Sequence, residues 1–384
     1  MDDIRISQGS PPSTAQTYEQ FQERRVFRAL DGFRFISIIA VVWHHTQSSP
    51  HLQPILGRGF LGVDMFFTLS GFLIVTLLLR ERERNGSIDL QKFHIRRALR
   101  IFPLYYAVLG LVVIGLLLKP AAGMAQPFYA ELPYHLTLTS NWIHLTTFMS
   151  VAWSLATEAQ FYLIWPPVEK FVKRPAAVLS ILAVILVINQ LINFHVLDPV
   201  LLAWIGPDFS KLEILQATFT PICLGVLLAH ILNNAGAYRS LTKLVQANWA
   251  PLALMGATLL ACNLPDFGAP LSWQRLLIQI LMMLTLGSCV IHDGGWLSRG
   301  LNYAPIRRIG VISYGMYLLH MPARQAADMI LQRLGLASPI ALFFLCLVLT
   351  IAVSELSFRF YEMPFLKLKN LWGHRKPKAG DATV

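Results

Sequence analysis

Residues 59–86 read GFLGVDMFFTLSGFLIVTLLLRERERNG. An apolar run from Phe60 to Leu79 ends in alternating Arg and Glu, and its length matches one helical crossing of a hydrocarbon core about 30 Å thick. Similar runs, bounded by charge, Pro, Gly or Asn, recur along the chain. The sequence therefore predicts an all-α polytopic membrane protein of about ten transmembrane helices, near residues 27–47, 60–80, 101–118, 152–171, 176–195, 213–233, 250–264, 274–292, 307–327 and 339–360.

The composition supports this prediction. Of the 384 residues, 55% are hydrophobic and only 14% are charged, against about 25% charged in a soluble domain. A soluble chain cannot bury so much apolar surface in one core, and a disordered chain would be far more polar. The four cysteines lie far apart, without the spacing of a metal or redox motif.

The basic residues predict the orientation. With a cytoplasmic N-terminus, 25 of the 32 Lys and Arg fall on cytoplasmic segments, six fall outside and Arg34 lies within the first span. This bias predicts an even number of spans in the cytoplasmic membrane and two cytoplasmic termini. It also explains the net charge of +11 without a nucleic-acid partner. We expect a cytoplasmic tail over 1–26, a membrane domain over 27–362, a cytoplasmic tail over 363–384 and no appended soluble domain.

The first span carries ionisable side chains. Arg34 and His45 are eleven residues apart and share one helix face, whereas His44 points about 100° away. Asp31 lies near the same face and is a partner for Arg34. Such residues within spans are usually functional; the alternative is an arginine that snorkels and a histidine near the headgroups.

Two later spans also carry polar residues. Ser313, Tyr317, His320 and Arg324 fall on one face of the ninth span, and Glu158 lies in the fourth, one turn after Ser154. If the first, fourth and ninth spans are neighbours, we expect His45, Glu158 and His320 to face one shared cavity in the outer half of the membrane.

A cluster of arginines begins the third span. Residues 93–106 read FHIRRALRIFPLYY and place Arg96, Arg97 and Arg100 together. Guanidinium groups at this spacing suit a phosphate-rich ligand. Contact with lipid phosphates is the alternative.

Six strings carry a resemblance to a known family. They occur in the family's order between residue 30 and about residue 366: LDGFRFISIIAVVWHH, GFLGVDMFFTLSGFLIVTLLLRERERNG, FHIRRALRIFPLYY, WSLATEAQFYLIWP, ISYGMYLLHMP and FRFYEMPF. On these strings the chain resembles the bacterial acyltransferase-3 family of integral-membrane O-acyltransferases.

The resemblance implies roles for single residues. The family's signature of Arg, ten residues and His falls on Arg34 and His45, and its carboxylate falls on Glu158, followed by Ala159 where many members have a second Glu. We interpret Glu362 and Arg359 as a structural pair. The predicted site comprises catalytic Arg34, His45 and Glu158, donor-binding Ser70, Arg96, Arg97 and Arg100, and acceptor-binding Asp64, Tyr317 and His320.

The resemblance also implies an activity. An acyl group, usually acetyl, passes from cytoplasmic acyl-CoA to a hydroxyl of an exported or envelope carbohydrate, without a metal. The expected partners are the bilayer and a carbohydrate acceptor, a lipid-linked form included. His45 acts as a base oriented by Glu158 or as a transient acyl carrier. A proton-coupled transporter or flippase, or a non-catalytic scaffold, remains an alternative.

Overall fold

The computed structural model describes residues 15–24, 26–46, 57–119, 123, 125–147, 149–206, 219–264, 272–336 and 338–371. Within these ranges the chain forms helices and no β-strand. The α-helices are α1 Tyr18–Glu23, α2 Ala29–Thr46, α3 Leu61–Asn85, α4 Leu90–Leu118, α5 Ala125–Leu136, α6 Ala152–Phe171, α7 Pro175–Asn193, α8 Asp198–Ile205, α9 Thr220–Leu232, α10 Ala235–Leu244, α11 Ala250–Asn263, α12 Ser272–Ile291, α13 Trp296–Leu301, α14 Ala304–Arg333, α15 Pro339–Ser357 and α16 Met363–Leu371.

Each predicted apolar run coincides with one of these helices, namely α2, α3, α4, α6, α7, α9, α11, α12, α14 and α15. The all-α membrane fold is therefore confirmed. Residues 213–218 of the sixth run lie outside the described residues. By length and apolarity five helices of the described chain qualify as spans, or six if α9 and α10, bent by 106°, form one. The count of ten remains a prediction.

Helix α3 lies at the centre of the bundle. It packs against α2, α6, α9 and α12, while α14 packs against α2, α4 and α15. Small residues allow α3 and α9 to approach closely, because a methyl group at Gly71 would overlap the Ile222 carbonyl and one at Gly225 would overlap the Thr68 carbonyl. These crossings bring α2, α3, α4, α6 and α14 together around the candidate site.

The described parts of the segment between α4 and α6 pack against both of these helices. The segment contains α5 and a 3₁₀ turn, Ser140–Trp142. Asn141 and Gln160 bond reciprocally through their amides, at 3.2 and 2.8 Å. The turn is thus fixed to α6.

Part of each predicted tail is helical. In the N-terminal one, α1 is held by Arg80, whose Nη2 donates to the Phe21 carbonyl at 2.7 Å. In the C-terminal one, α16 covers Met363–Leu371, and a π-helical turn, Phe358–Glu362, joins it to α15. Residues 1–14 and 372–384 lie outside the described residues.

Glu362 and Arg359, interpreted together as structural residues, are not bonded to each other. Arg359 pairs with Glu355, one helical turn before it. Glu362 instead accepts a hydrogen bond from Ser357 at 3.2 Å. The π-helical turn changes which side chains share a face, because it adds one residue to the turn that separates them.

Candidate functional site

Two cavities lie at successive depths along α2. We call the first the arginine cavity; its volume is about 320 Å³. The second, the histidine cavity, has a volume of about 420 Å³. The polar lining of the arginine cavity is Arg34, Ser70, Glu81, Arg96, Arg97, Arg100, Ser154, Glu158, Tyr162, Ser313, Tyr314 and Tyr317. That of the histidine cavity is His44, His45, Asn141, His144, Ser150, Arg275 and Tyr317.

The first two turns of α4 supply the arginines. No carboxylate of the described chain forms an ion pair with Arg96, Arg97 or Arg100. The Arg97 guanidinium lies 5.6 Å from the ring centre of Phe93 and 5.5 Å from that of Tyr162. Three cations therefore face one cavity without a direct ion pair among the described residues, and Glu81 and Glu158 line the same cavity.

Buried guanidinium groups require acceptors. The Nε atom of Arg96 is buried and has no partner within the described part of the chain. Arg100 is exposed and lines the cavity. Arginines that face a cavity without an ion-pair partner suit an anionic ligand, since forked N–H groups bind phosphate oxygens in pairs.

Glu158 lies at the wall of the arginine cavity. Its Oε1 accepts hydrogen bonds from Ser70 Oγ on α3 and from Tyr162 OH, one turn later on α6. Ser70 and Glu158, both predicted from the sequence, are thus brought together. Tyr162 was not predicted, although its i+4 spacing from Glu158 is the signal that could have found it.

Arg34 lines the same cavity from α2. Its Nη1 lies 2.5 Å from Oδ1 of Asp31, which confirms the predicted pair. Helix α14 crosses α2 at Gly310, where an added methyl group would overlap the Asp31 carbonyl oxygen. This close crossing fixes the base of α2 against α14.

His45 lies eleven residues further along α2, about 16 Å from Arg34 along the axis. Its Nδ1 lies 2.9 Å from the Val41 carbonyl oxygen and 3.3 Å from Nε2 of His320 on α14. The two ring centres are 4.9 Å apart. This proximity was predicted on the condition that the two helices are neighbours, and α2 and α14 do pack together.

The structure does not place Glu158 beside His45. Glu158, predicted to orient His45, lines the arginine cavity instead, and its Oε1 accepts hydrogen bonds from Ser70 and Tyr162. The two histidines and the glutamate therefore do not face one cavity: His45 lines the histidine cavity, Glu158 lines the arginine cavity, and His320 lines neither. Helical periodicity gives the face of one helix and leaves its neighbour unspecified.

Asp64 lies at neither cavity wall. It is fully buried, and it accepts from Nε and Nη2 of Arg275, both at 2.9 Å, and from Gln279 at 2.8 Å. Its contacts are those of a structural anchor for Arg275, which does line the histidine cavity. The pair joins residues 211 positions apart, so no local pattern could have revealed it.

Tyr317 separates the two cavities and lines both, as does Val63. The Tyr317 hydroxyl lies 2.7 Å from Ser154 Oγ and donates to the Val151 carbonyl at 3.0 Å. Rotation of this one ring would change the boundary between the cavities. Among the described residues, no group of three or more His, Cys, Asp or Glu is arranged to hold a metal ion.

These features define an all-α integral membrane protein with a cationic cavity that meets a histidine-lined cavity inside the bundle. A family model described as an acyltransferase domain matches residues 27–358. The chain belongs to this acyltransferase family, known as acyltransferase-3.

Similar proteins carry related names. The chain is 30% identical over 371 residues to the peptidoglycan O-acetyltransferase OatA of Listeria monocytogenes, covering 90% of this chain and 56% of that protein. It is 27% identical over 372 residues to the putative peptidoglycan O-acetyltransferase YrhL of Bacillus subtilis, with coverage of 90% and 56%. A putative O-acetyltransferase of Staphylococcus aureus is 27% identical over 369 residues, with coverage of 91% and 59%. The chain thus spans little more than half the length of these relatives. No solved structure matches it.

Proposed function

We propose that the chain is a membrane O-acyltransferase that moves an acetyl group from cytoplasmic acetyl-CoA to a hydroxyl of a cell-envelope carbohydrate. The observation that carries the proposal is the junction of the two cavities at Tyr317 and Val63. One cavity offers unpaired arginines for a polyanionic donor, and the other offers an imidazole for a hydroxyl acceptor. The names of the relatives favour peptidoglycan as the first acceptor to test.

The donor fits the arginine cavity chemically. Coenzyme A carries several phosphate charges, and Arg96, Arg97 and Arg100 have no internal carboxylate partner in the described chain. Each charge-assisted hydrogen bond from these groups contributes on the order of 1.5–3 kcal/mol. The excess of basic residues on the segments beside this cavity supports a cytoplasmic entrance.

The acceptor requires a base. A sugar hydroxyl is a weak nucleophile, and a positioned imidazole accelerates its attack by about 10²–10⁴-fold. His45 takes the hydroxyl proton at Nε2 as the oxygen attacks the acyl carbon, and it returns that proton to the departing thiolate. Acetyl-CoA supplies the activated carbonyl; Arg34 and the cluster on α4 hold the donor in register with His45.

The test uses membrane vesicles that contain the full chain and receive acetyl-CoA labelled in its acetyl group, with peptidoglycan recovered and counted. We expect label with the native chain, its loss with His45→Gln at equal membrane abundance, and its retention with His195→Asn. His195 is an exposed histidine that lines neither cavity. The proposal fails if His45→Gln labels peptidoglycan as fast as the native chain.

A further inference from the structure

Among the described residues, the His45 imidazole forms hydrogen bonds through one nitrogen, Nδ1. Its Nδ1 lies within bonding distance of two atoms, the Val41 carbonyl oxygen at 2.9 Å and Nε2 of His320 at 3.3 Å. Within the described chain, no hydrogen-bond partner reaches its Nε2. The ring lines the histidine cavity, so Nε2 is the nitrogen available to a ligand there.

The hydrogen-bond network assigns the protons of both rings. His320 Nδ1 lies 2.7 Å from the Tyr317 carbonyl oxygen; because a carbonyl only accepts, this nitrogen carries the hydrogen. In a neutral His320, Nε2 then has a lone pair and accepts. His45 must donate from Nδ1 to both Val41 and His320, which leaves its own lone pair on Nε2.

His320 is itself held rigidly. It is fully buried in α14, its ring centre lies 5.7 Å from that of Tyr317, and its carbonyl oxygen lies 3.8 Å from Sγ of Cys346 on α15. No carboxylate of the described residues forms an ion pair with either imidazole. The partner of His45 is therefore a neutral ring.

We propose that His320 is the positioning residue of the site: it accepts from His45 Nδ1–H and holds the His45 ring with Nε2 facing the histidine cavity. This inference rests on the proposed function of His45. It gives His320 the part that a carboxylate has in a Ser–His–Asp triad, where the acceptor fixes the tautomer of the base and stabilises the imidazolium. A charged His45 would donate more strongly from Nδ1, so the bond strengthens when the proton arrives.

The other charged and titratable groups around His45 differ from His320 in their contacts. The His44 ring centre lies 5.2 Å away in an edge-to-face contact. Arg275 and His144 line the same cavity, and Arg275 is bonded to Asp64. Arg324, one turn after His320, is a further cation near this ring. Only His320 offers a side-chain acceptor to Nδ1 within the described residues.

Two variants of His320 distinguish the loss of its hydrogen-bond acceptor from the loss of its side-chain volume. His320→Gln keeps an acceptor oxygen near the position of Nε2, whereas His320→Leu keeps bulk and removes it. We expect His320→Leu to lower kcat by about 10- to 100-fold with little change in KM, which is part of the 10²–10⁴-fold that a general base contributes. We expect His320→Gln to remain within a few-fold of the native kcat, and His195→Asn to be unchanged.

A second readout does not depend on acyl transfer. Nitrogen NMR of the full chain in lipid nanodiscs, with ¹⁵N-labelled histidine and His45→Gln to assign the signals, reports the tautomer of His45. We expect Nδ1–H in all three chains, because the Val41 carbonyl also accepts from this nitrogen, and an Nδ1 signal shifted toward a weaker hydrogen bond in His320→Leu only. A native His45 protonated at Nε2, equal kcat losses in both His320 variants, or a native kcat in His320→Leu would each overturn the proposal. Absence of acetyl transfer by the native chain would count against the proposed function alone, because the tautomer remains measurable.

Discussion

At the scale of single residues, the guanidinium groups of Arg97 and Arg100 provide the most direct test of donor binding. Both line the arginine cavity, and neither has a carboxylate partner in the described chain. A charge-assisted hydrogen bond is worth about 1.5–3 kcal/mol, so its loss weakens binding by about 10-fold or more. We expect Arg97→Gln and Arg100→Gln each to raise the Kd for acetyl-CoA by this factor, measured by calorimetry in nanodiscs.

Arg299→Gln is the control for the loss of one positive charge. Arg299 is exposed near the end of α13 and lines neither cavity. We expect its Kd to equal that of the native chain. If all three variants weaken binding equally, the arginines act through overall charge and the cavity is not the donor site.

Glu158 makes a second prediction at this scale. Tyr162→Phe removes one of its two hydroxyl donors and keeps the ring under the Arg97 guanidinium. Because a hydrogen bond to a charged group contributes about 1.5–3 kcal/mol, we expect a lower Tm in thermal unfolding. Tyr303→Phe is the matched control, since Tyr303 is 63% exposed. Equal Tm values for the two variants would show that the bond to Glu158 contributes no stability.

At the scale of helices, the crossing of α3 and α9 depends on having no side chain at Gly225. An added methyl group would overlap the Thr68 carbonyl, and overpacking of this kind costs about 1–3 kcal/mol. We expect Gly225→Ala to lower the Tm of the purified protein. The same change at Gly256 of α11, where nothing lies within 4 Å, removes only the helix penalty of glycine and stabilises by about 0.5–1 kcal/mol. Equal changes in Tm for the two variants would mean that α3 and α9 can move apart without loss of stability.

The helices were predictable because each apolar run is a local feature, visible in consecutive residues of the sequence. The stretch that ends at Arg80 became α3, and the runs carrying Arg34, Glu158 and His320 became α2, α6 and α14. Neighbour relations were not predictable in the same way. Glu158 bonds Ser70, 88 positions away, and Asp64 bonds Arg275, 211 positions away. Such contacts depend on which helices pack, and periodicity along one helix carries no information about that.

At the scale of the whole molecule, the arginine cavity and the histidine cavity meet inside the helix bundle, so that a donor and an acceptor can each enter from one side. Arg34 and His45 lie on one face of α2 at different depths, and each lines a different cavity. A donor and an acceptor that approach from opposite sides can meet only at the boundary formed by Tyr317 and Val63. The proposed chemistry therefore requires the arginine cavity to face the cytoplasm, which is an orientation that can be measured.

Single cysteines measure that orientation. Arg239→Cys and Arg299→Cys lie on the predicted cytoplasmic side, and Lys119→Cys and Arg333→Cys on the outer side; all four positions are exposed. In intact spheroplasts, a membrane-impermeant maleimide should label the outer pair, and the cytoplasmic pair should react only after permeabilisation. The native chain gives the background, because three of its cysteines are buried and Cys262 is half-buried. Labelling of Arg299→Cys in intact spheroplasts would place the entrance of the arginine cavity outside, beyond the reach of a cytoplasmic donor, and the proposed direction of transfer would be wrong.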